Sequence, residues 1–287
     1  MAKEFIDGSP WDAAPGLFAV SQGDVEALAS ELAGRAGDAY EAASLIDRLL
    51  DAPVAGSGDY AESLRRREAL AVLATHVAIA SVDEDWEDLI GAFRRLACQV
   101  SYRVSELAVE FVSRIASRFF KESRSFWLDC LLEEDSAIAA ATIRGLSVSD
   151  APVFDVLDLL NNVIADIRKD VRQNLGPRAI PALGRRDPQT VYLKLSEWTG
   201  SQREIPRWNV ARALGTPLGA AYPDTALEIL ETLAADERPS VHRAAADALV
   251  ILAQRRPALV LPVLGRWRND PARGGTANLA LTALARR

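Results

Sequence analysis

Apolar residues recur at intervals of three and four along the stretch DERPSVHRAAADALVILAQRRP, residues 236–257. This spacing draws one apolar stripe along a helix, formed by Val241, Ala244, Ala245, Ala248, Leu249 and Leu252. Asp236 and Ser240 are small polar residues, and the pattern predicts that they cap helix starts. Pro257 has no amide hydrogen, so one helix is predicted to end before it and the next to begin there.

The same helical periodicity runs through most of the chain. Alternating apolar and polar runs between tight turns, which would indicate strands, are nearly absent. We therefore expect an all-α protein. The predicted helices cover residues 24–33, 40–50, 60–81, 83–99, 104–120, 126–132, 137–146, 153–163, 167–175, 179–183, 190–198, 206–214, 225–234, 241–254, 258–267 and 277–285.

One ten-residue block is repeated. Ser240–Leu249 aligns without gaps with Ile205–Leu214 and with Ala137–Leu146, and its last position recurs at intervals of 35, 29, 39, 35 and 35. The residues at that position are Phe111, Leu146, Leu175, Leu214, Leu249 and Leu284. Paired helices with this period and with small, Ala-rich second helices predict a right-handed α-solenoid of HEAT-like helical pairs. We expect a single such domain over residues 21–287, after an irregular lead-in over residues 1–20.

The composition is that of a globular protein, with 49% hydrophobic and 25% charged residues. The first residues lack the basic start and apolar run of a signal peptide, and no apolar run reaches eighteen residues. Cys98 and Cys130, in apolar helical contexts, are expected to be free core thiols in a reducing compartment. We therefore expect a cytoplasmic location and no membrane contact.

The charge is divided unevenly. Residues 168–287 carry 19 Lys and Arg against 11 Asp and Glu, whereas residues 1–167 carry 14 against 29. The second half is therefore basic, although the net charge of the chain is −7. A basic half can attract an anionic polymer, because at physiological salt a distant acidic half does not cancel its field.

Common enzyme signatures are missing. The two histidines, His76 and His242, lie far apart in sequence, and neither has a Cys pair nearby. The sequence contains no phosphate-binding Gly-rich loop, no nucleophile elbow and no calcium loop. We therefore expect neither a cofactor nor a bound metal.

The basic half offers candidate contacts for phosphate groups. Arg144 and Arg212 share one column of the repeat, and Arg207 shares another with His242. Arginines aligned on one concave face would bind a nucleic-acid backbone, whereas the alternative is that each caps a helix or pairs with the next repeat. Further basic residues surround them, namely Arg168, Lys169, Arg172, Arg178, Arg185, Arg186 and Arg203.

Three tryptophans, Trp198, Trp208 and Trp267, lie near arginines in this half. Such rings either stack on bases or fill gaps in the core. Trp208 is the best candidate for exposure, because it follows Pro206 and Arg207 at a helix start. The predicted nucleic-acid contacts are Arg203, Arg207, Trp208, Arg212, Arg243 and Arg144.

The last third of the chain resembles the bacterial alkylpurine DNA glycosylases of the AlkC and AlkD type. The resemblance is carried by SEWTGSQREIPRWNVARAL and LAADERPSVHRAAADALVILAQRRPALVLPVLGRW. The positions that match AlkC-type residues are Asp236, Val241, Arg243, Ala246, Leu249, Ala253, Pro257, Val260 and Trp267. It implies a HEAT-like fold whose concave basic surface holds duplex DNA, with aromatic and carboxylate side chains at the damaged nucleotide.

One departure bears on catalysis. AlkC-like proteins carry a polar Asn-His-Leu-Asn-Asp run on this helix, whereas this chain has Asp247, Ala248, Leu249, Val250 and Ile251. A carboxylate would stabilise the cationic sugar that forms when an alkylated base leaves. The nominees for that role are Asp247 and Glu204.

Two functions remain open from the sequence. One is a DNA-binding relative of the alkylation-repair proteins, with or without glycosylase activity. The other is a non-catalytic scaffold that holds a protein partner on its concave face.

Overall fold

The computed structural model describes residues 90–98 and 102–286, with only the backbone of residues 102–104. They belong to two compact units, Met1–Ile115 and Ala116–Arg287. The predicted lead-in, the predicted helices before residue 83 and His76 lie outside the described residues, and so does the start of the helix predicted at 83.

Every regular element of the described residues is helical, which confirms the all-α prediction for that part of the chain. The α-helices are α1 (Ile90–Ala97), α2 (Tyr102–Leu132), α3 (Ser136–Val148), α4 (Val153–Leu160), α5 (Lys169–Asn174), α6 (Ile180–Arg186), α7 (Pro188–Thr199), α8 (Glu204–Leu214), α9 (Pro217–Ala221), α10 (Pro223–Ala234), α11 (Pro239–Arg255), α12 (Pro257–Trp267) and α13 (Gly274–Ala285). A π-helical turn, Leu175–Ala179, joins α5 to α6. The short helix α9 escaped the sequence prediction.

In the first unit, α1 buries its apolar face. Phe93 and Leu96 are inaccessible to solvent, and the ring of Phe93 stacks on that of Phe111 with centroids 5.9 Å apart. The repeat position at Phe111 is therefore a core position in this unit.

Helix α2 is kinked at Phe119, just before the gap at residues 121–125 that the sequence predicted between two helices. Phe119 has a non-helical backbone, with φ of −130° and ψ of 35°. The buried hydroxyl of Ser123 donates a hydrogen bond of 2.6 Å to the Phe119 carbonyl oxygen. This bond satisfies a carbonyl at the kink, so the chain resumes the helix at once.

Helix starts repeat with a fixed period in the second unit. The N-cap residues of α5, α8, α11 and α13 are spaced by 35 residues and are Arg168, Arg203, Arg238 and Arg273. The N-cap residues of α4, α7, α10 and α12 are Pro152, Asp187, Tyr222 and Arg256, which keeps nearly the same period. The two-helix repeat predicted from the sequence is thus present in this part of the chain.

The structure corrects the register of one repeat. Leu146, Leu214 and Leu249 each lie eleven residues after the N-cap of their helix, whereas Leu175 lies only seven after Arg168. The equivalent residue is Ala179, at the end of the π-helical turn. The sequence alignment chose Leu175 for this position because the other repeats have a leucine or phenylalanine there. The irregular intervals of 29 and 39 residues resulted from that error.

The helix caps predicted at Asp236 and Ser240 were wrong. The N-cap of α11 is Arg238, Pro239 is its first residue, and Ser240 lies inside the helix. The carboxylate of Asp236 instead accepts a hydrogen bond of 2.9 Å from the Arg238 backbone N–H, which forms a tight turn just before the helix. The proline at the first helical position needs no capping partner for its nitrogen, so the helix begins two residues earlier than a Ser240 cap would allow.

Neighbouring helices pack in a regular order. The second helices of successive pairs contact one another from α3 to α5 and its π-helical turn, then to α8, α11 and α13. The first helices contact from α4 to α7 and from α7 to α10. The contacts bury residues such as Val210, Leu214, Val241 and Leu249, so the apolar stripe predicted on α11 is confirmed as core.

The cysteine prediction is only half right. Neither cysteine forms a disulfide, as expected, but Cys98 is exposed and only Cys130 is buried.

None of the helices within the described ranges combines the length and the apolar character needed to span a bilayer.

Candidate nucleic-acid interface

Trp208 lies between arginines of two neighbouring second helices. The guanidinium carbon of Arg172, on α5, is 5.2 Å from the centre of the Trp208 ring. That of Arg212, one turn further along α8, is 5.8 Å from it. Both distances are within the range of cation–π attraction, so a half-buried indole holds two positive charges close together. The other two candidate tryptophans, Trp198 and Trp267, are buried in the core.

This arrangement depends on close packing between the π-helical turn and α8. A Cβ atom on Gly176 would lie 2.9 Å from the backbone oxygen of Asn209 and 3.1 Å from the Cβ atom of Arg212. The side chain of Asn209 is fully buried, and its amide nitrogen donates a 3.0 Å bond to the Ile164 carbonyl oxygen. Glycine at 176 therefore lets α8 approach and sets the position of Arg212.

Arg212 has one weak acidic partner. Its Nη1 atom is 3.6 Å from the Oδ2 atom of Asp247 on α11, and the two side chains are 39% and 68% exposed. An exposed pair at this distance contributes little stability and is easily exchanged for another anion. The positive charge beside Trp208 is thus only loosely compensated.

Arg207, the residue before Trp208, is held differently. Its Nε atom lies 2.7 Å from the Oδ2 atom of Asp236, and the two side chains are 19% and 2% exposed. Neither atom has a well-aligned hydrogen bond, so the contact is one of charge. The guanidinium of Arg207 is therefore committed to a buried carboxylate of the next repeat.

The Asp-x-Arg turn that begins at Asp236 also ties its repeat to the preceding one. Arg238 donates a 2.6 Å hydrogen bond to the carbonyl oxygen of Gln202. Asp166 and Arg168 form the same turn, and Arg168 donates to the carbonyl oxygens of Leu131 and Glu133. Burial opposes ionisation of Asp166, but hydrogen bonds from Arg168 outweigh it and lower the pKa of this carboxyl.

Two more arginines are used in the same way. Arg186 donates a 2.6 Å bond to the carbonyl oxygen of Ala151, and Arg273 forms ion pairs with Asp270 and Glu231 at 2.8 and 3.2 Å. The alternative of arginines that pair between repeats therefore holds for part of the basic set. The arginines that bind a neighbouring repeat in this way are Arg168, Arg186, Arg207, Arg238 and Arg273.

Arg203 and Arg243 are the nominated arginines that remain most available. Both are exposed, and neither forms an ion pair with any described residue. Among the described residues, the only side-chain bond of Arg243 is a 3.3 Å contact with the Pro239 carbonyl oxygen of its own helix. Arg144 is half-buried on α3 and is not without a partner. It lies nine residues after the N-cap of its helix, as Arg212 does on α8, so the two share a column of the repeat as predicted.

The two carboxylates nominated for catalysis are both exposed and occupied. Glu204, at the start of α8, accepts a hydrogen bond from the hydroxyl of Ser240, and Asp247 faces Arg212 as described above. Val250, which replaces a polar residue of the AlkC-type run, is 3% exposed and belongs to the core. Neither nominee lies in a site closed to water, where charge stabilisation of a transition state is strongest.

Elsewhere in the second unit, sequence reasoning missed a cavity of about 410 Å³. Its walls include Leu227, Glu231, Trp267 and Arg273, with Arg273 already bound to Glu231. No group of three or more potential metal ligands occurs among the residues described. The cavity therefore lies beside a salt bridge, and its lining includes none of Arg172, Trp208 and Arg212.

Comparison with known proteins gave no match to this chain, either among protein-family models or among curated proteins.

Proposed function

We propose that this protein is a HEAT-like solenoid that binds duplex DNA through the exposed side of its second helices. The observation that carries the proposal is the cluster of Arg172, Trp208 and Arg212 on α5 and α8, where two guanidinium groups share one ring and the only acidic partner among the described residues is the weak one of Arg212. Guanidinium groups bind phosphate through paired N–H donors, and a cation on an aromatic face is already oriented for that contact.

Three further features support this proposal. Arg203 and Arg243 present exposed positive charge on α8 and α11, which are adjacent second helices. Residues 168–287 carry a marked excess of Lys and Arg. The resemblance to the alkylpurine glycosylases of the AlkC and AlkD type favours DNA as the polyanion.

The roles of the nominated residues differ within this proposal. Arg203, Arg212 and Arg243 contact phosphates, and Trp208 supports the arginines instead of stacking on a base. Arg207 holds Asp236 and acts on stability. Glycosidic cleavage is not part of the proposal, because Asp247 and Glu204 are exposed and engaged with other side chains.

The test is fluorescence anisotropy of the purified protein with a labelled duplex over a salt series. We expect micromolar or tighter binding at low salt, with log K falling linearly against log salt concentration. Arg203→Ala should weaken binding about equally on unrelated duplex sequences, as loss of a phosphate contact does. Absent binding at low salt, or binding indifferent to salt, would overturn the proposal.

The rival function is a protein scaffold. It is favoured by the five arginines that are committed between repeats and by Phe154 and Leu193, which are 69% and 75% exposed on the adjacent helices α4 and α7. Exposed apolar side chains of this size are typical of protein-binding surfaces when they form a patch. The same anisotropy series separates the two functions, because a scaffold of this kind has no salt-dependent affinity for DNA.

A further inference from the structure

The repeat contains an ion-pair position that is occupied between α8 and α11 and lacks its carboxylate between α5 and α8. Arg207 is the fourth residue after the N-cap of α8, and its partner Asp236 is the second residue before the N-cap of α11. In the preceding repeat the same two positions hold Arg172 and Ser201. The arginine is present there, but a serine stands in place of the carboxylate.

Arg172 shows the effect of the missing carboxylate. The Nε atoms of both arginines are buried without a hydrogen bond among the described residues, but that of Arg207 lies 2.7 Å from a carboxylate oxygen, whereas Arg172 has no such ion pair with any described residue. Its guanidinium group lies against Trp208 and forms no ion pair with any described residue. A buried donor without a partner is costly, so the position favours an added acceptor.

The same serine also affects the N-cap arginine of α8. Arg168 and Arg238 each face the Asp two residues earlier, with nitrogen–oxygen distances of 2.6 and 3.6 Å. Arg203 has only Ser201 in that place, and the Ser201 hydroxyl oxygen accepts a 3.2 Å bond from the Arg203 backbone N–H. The turn is therefore kept, but the Arg203 side chain is exposed and unpaired within the described part of the chain.

We propose that the Ser201 gap, defined by Arg172, Ser201, Arg203 and Trp208, is a binding site for a phosphate group. One absent carboxylate leaves two guanidinium groups uncompensated, while the Ser201 hydroxyl retains a proton to donate. A phosphate supplies the negative charge and the acceptor oxygens that Asp236 supplies in the next repeat. The acid nearest in sequence, Glu204, accepts a hydrogen bond from Ser240 and is not paired with Arg203.

The ligand we assign to the gap is a phosphodiester of the DNA backbone, which rests on the proposed function. A free phosphate or pyrophosphate has the same chemistry and is the other possible source. The two sources are separated by testing a duplex and inorganic pyrophosphate on the same proteins.

The decisive variant is Ser201→Asp, because it restores the residue type that Asp166 and Asp236 already provide at this position. Ser201→Asn is the uncharged control of nearly the same shape. Gln189→Asp adds the same charge at an exposed position on α7, which belongs to the first helices. Since the repeat accepts an aspartate here twice, we expect Ser201→Asp to fold and to melt no lower than the wild type.

We expect Ser201→Asp to weaken duplex binding roughly tenfold at 0.1 M salt and to lower the salt slope by about one, as loss of one phosphate contact does. Ser201→Asn and Gln189→Asp should bind within about twofold of the wild type. Arg172→Gln gives a second reading that introduces no carboxylate, and it should weaken binding to a similar extent.

Equal binding by the wild type, Ser201→Asp and Arg172→Gln overturns the phosphate site while leaving the proposed function intact. Failure of the wild type to bind duplex at low salt overturns the proposed function, and the pyrophosphate arm then decides about the gap. A rise in melting temperature with pyrophosphate, lost in Ser201→Asp but kept in Ser201→Asn, supports a site for a free phosphate compound. If pyrophosphate raises the melting temperature of none of these proteins, the proposed phosphate site at the Ser201 gap is overturned as well.

Discussion

The Nε atom of Arg207 lies 2.7 Å from the Oδ2 atom of Asp236, a carboxylate that is 2% exposed. The same carboxylate accepts the backbone N–H of Arg238, and the Arg238 side chain bonds to the Gln202 carbonyl oxygen. One buried aspartate thus connects α8, the turn before α11 and the preceding repeat. Asp236 therefore stabilises the packing of neighbouring repeats and is not available to a ligand.

Replacing Asp236 with asparagine should destabilise the protein. The change leaves the half-buried guanidinium of Arg207 without a countercharge, and loss of one partner from such a pair costs up to roughly 3 kcal/mol. Chemical denaturation should show the loss in the free energy of unfolding. Glu237→Gln removes the same charge from the exposed neighbouring position and should change it by less than about 0.5 kcal/mol. Similar effects of the two variants would contradict a structural role for Asp236.

Gly176→Ala should both destabilise the protein and disturb the Trp208 cluster. The added methyl group would lie 2.9 Å from the Asn209 backbone oxygen, and the π-helical turn or α8 must move to relieve it. Overpacking of this kind costs about 1–3 kcal/mol. The melting temperature and the affinity for duplex DNA should fall together.

Gly265→Ala is the control for that prediction. A Cβ atom at position 265, inside α12, meets nothing within 4 Å. Alanine is the better helix former by about 1 kcal/mol, so this variant should melt at or above the wild-type temperature. A stable Gly176→Ala protein with unchanged affinity would show that close packing at the π-helical turn does not position Arg212.

Arg243→Ala and Arg207→Ala should have opposite signatures. Arg243 is exposed and unpaired within the described residues, so its loss should leave the melting temperature unchanged and lower the salt slope of DNA binding by about one. Arg207 is committed to Asp236, so its loss should lower the melting temperature. Arg255→Ala removes an equal charge from the far end of α11 and should change the slope less than Arg243→Ala does. Equal slopes for Arg243→Ala and Arg255→Ala would indicate diffuse attraction without a defined surface.

Asp166 should make stability depend on acid pH. Its pKa is lowered in the folded protein, because the hydrogen bonds from Arg168 outweigh the effect of burial. The stabilisation is therefore complete above the unfolded pKa of about 3.9 and is lost as the pH falls through the lower folded value. The melting temperature of Asp166→Asn should lie below that of the wild type by a constant amount from pH 8 to pH 5. The difference should narrow below about pH 4, and a difference independent of pH would exclude this linkage.

Within the described part of the chain, the sequence by itself determined most of the helices and their order, but not α9 or the π-helical turn. Apolar positions at intervals of three and four, with prolines at helix starts such as Pro188, Pro223 and Pro257, depend only on residues close in sequence. The same local information indicated the 35-residue repeat and placed Arg144 in the column of Arg212. The repeat alignment was wrong at Leu175, because the π-helical turn shifts the register and no residue pattern marks that shift as clearly as the leucine marks the repeat.

Only the tertiary structure decided which arginines are available. Arg172 and Arg207 occupy the same position of two repeats, and nothing local distinguishes them. The residue 29 positions further on is a serine in one case and an aspartate in the other, and the aspartate reaches its arginine only because neighbouring helix pairs pack. A charge is compensated through space over a few ångströms, so the pairing of each guanidinium depends on the packed repeats and not on its own stretch of sequence.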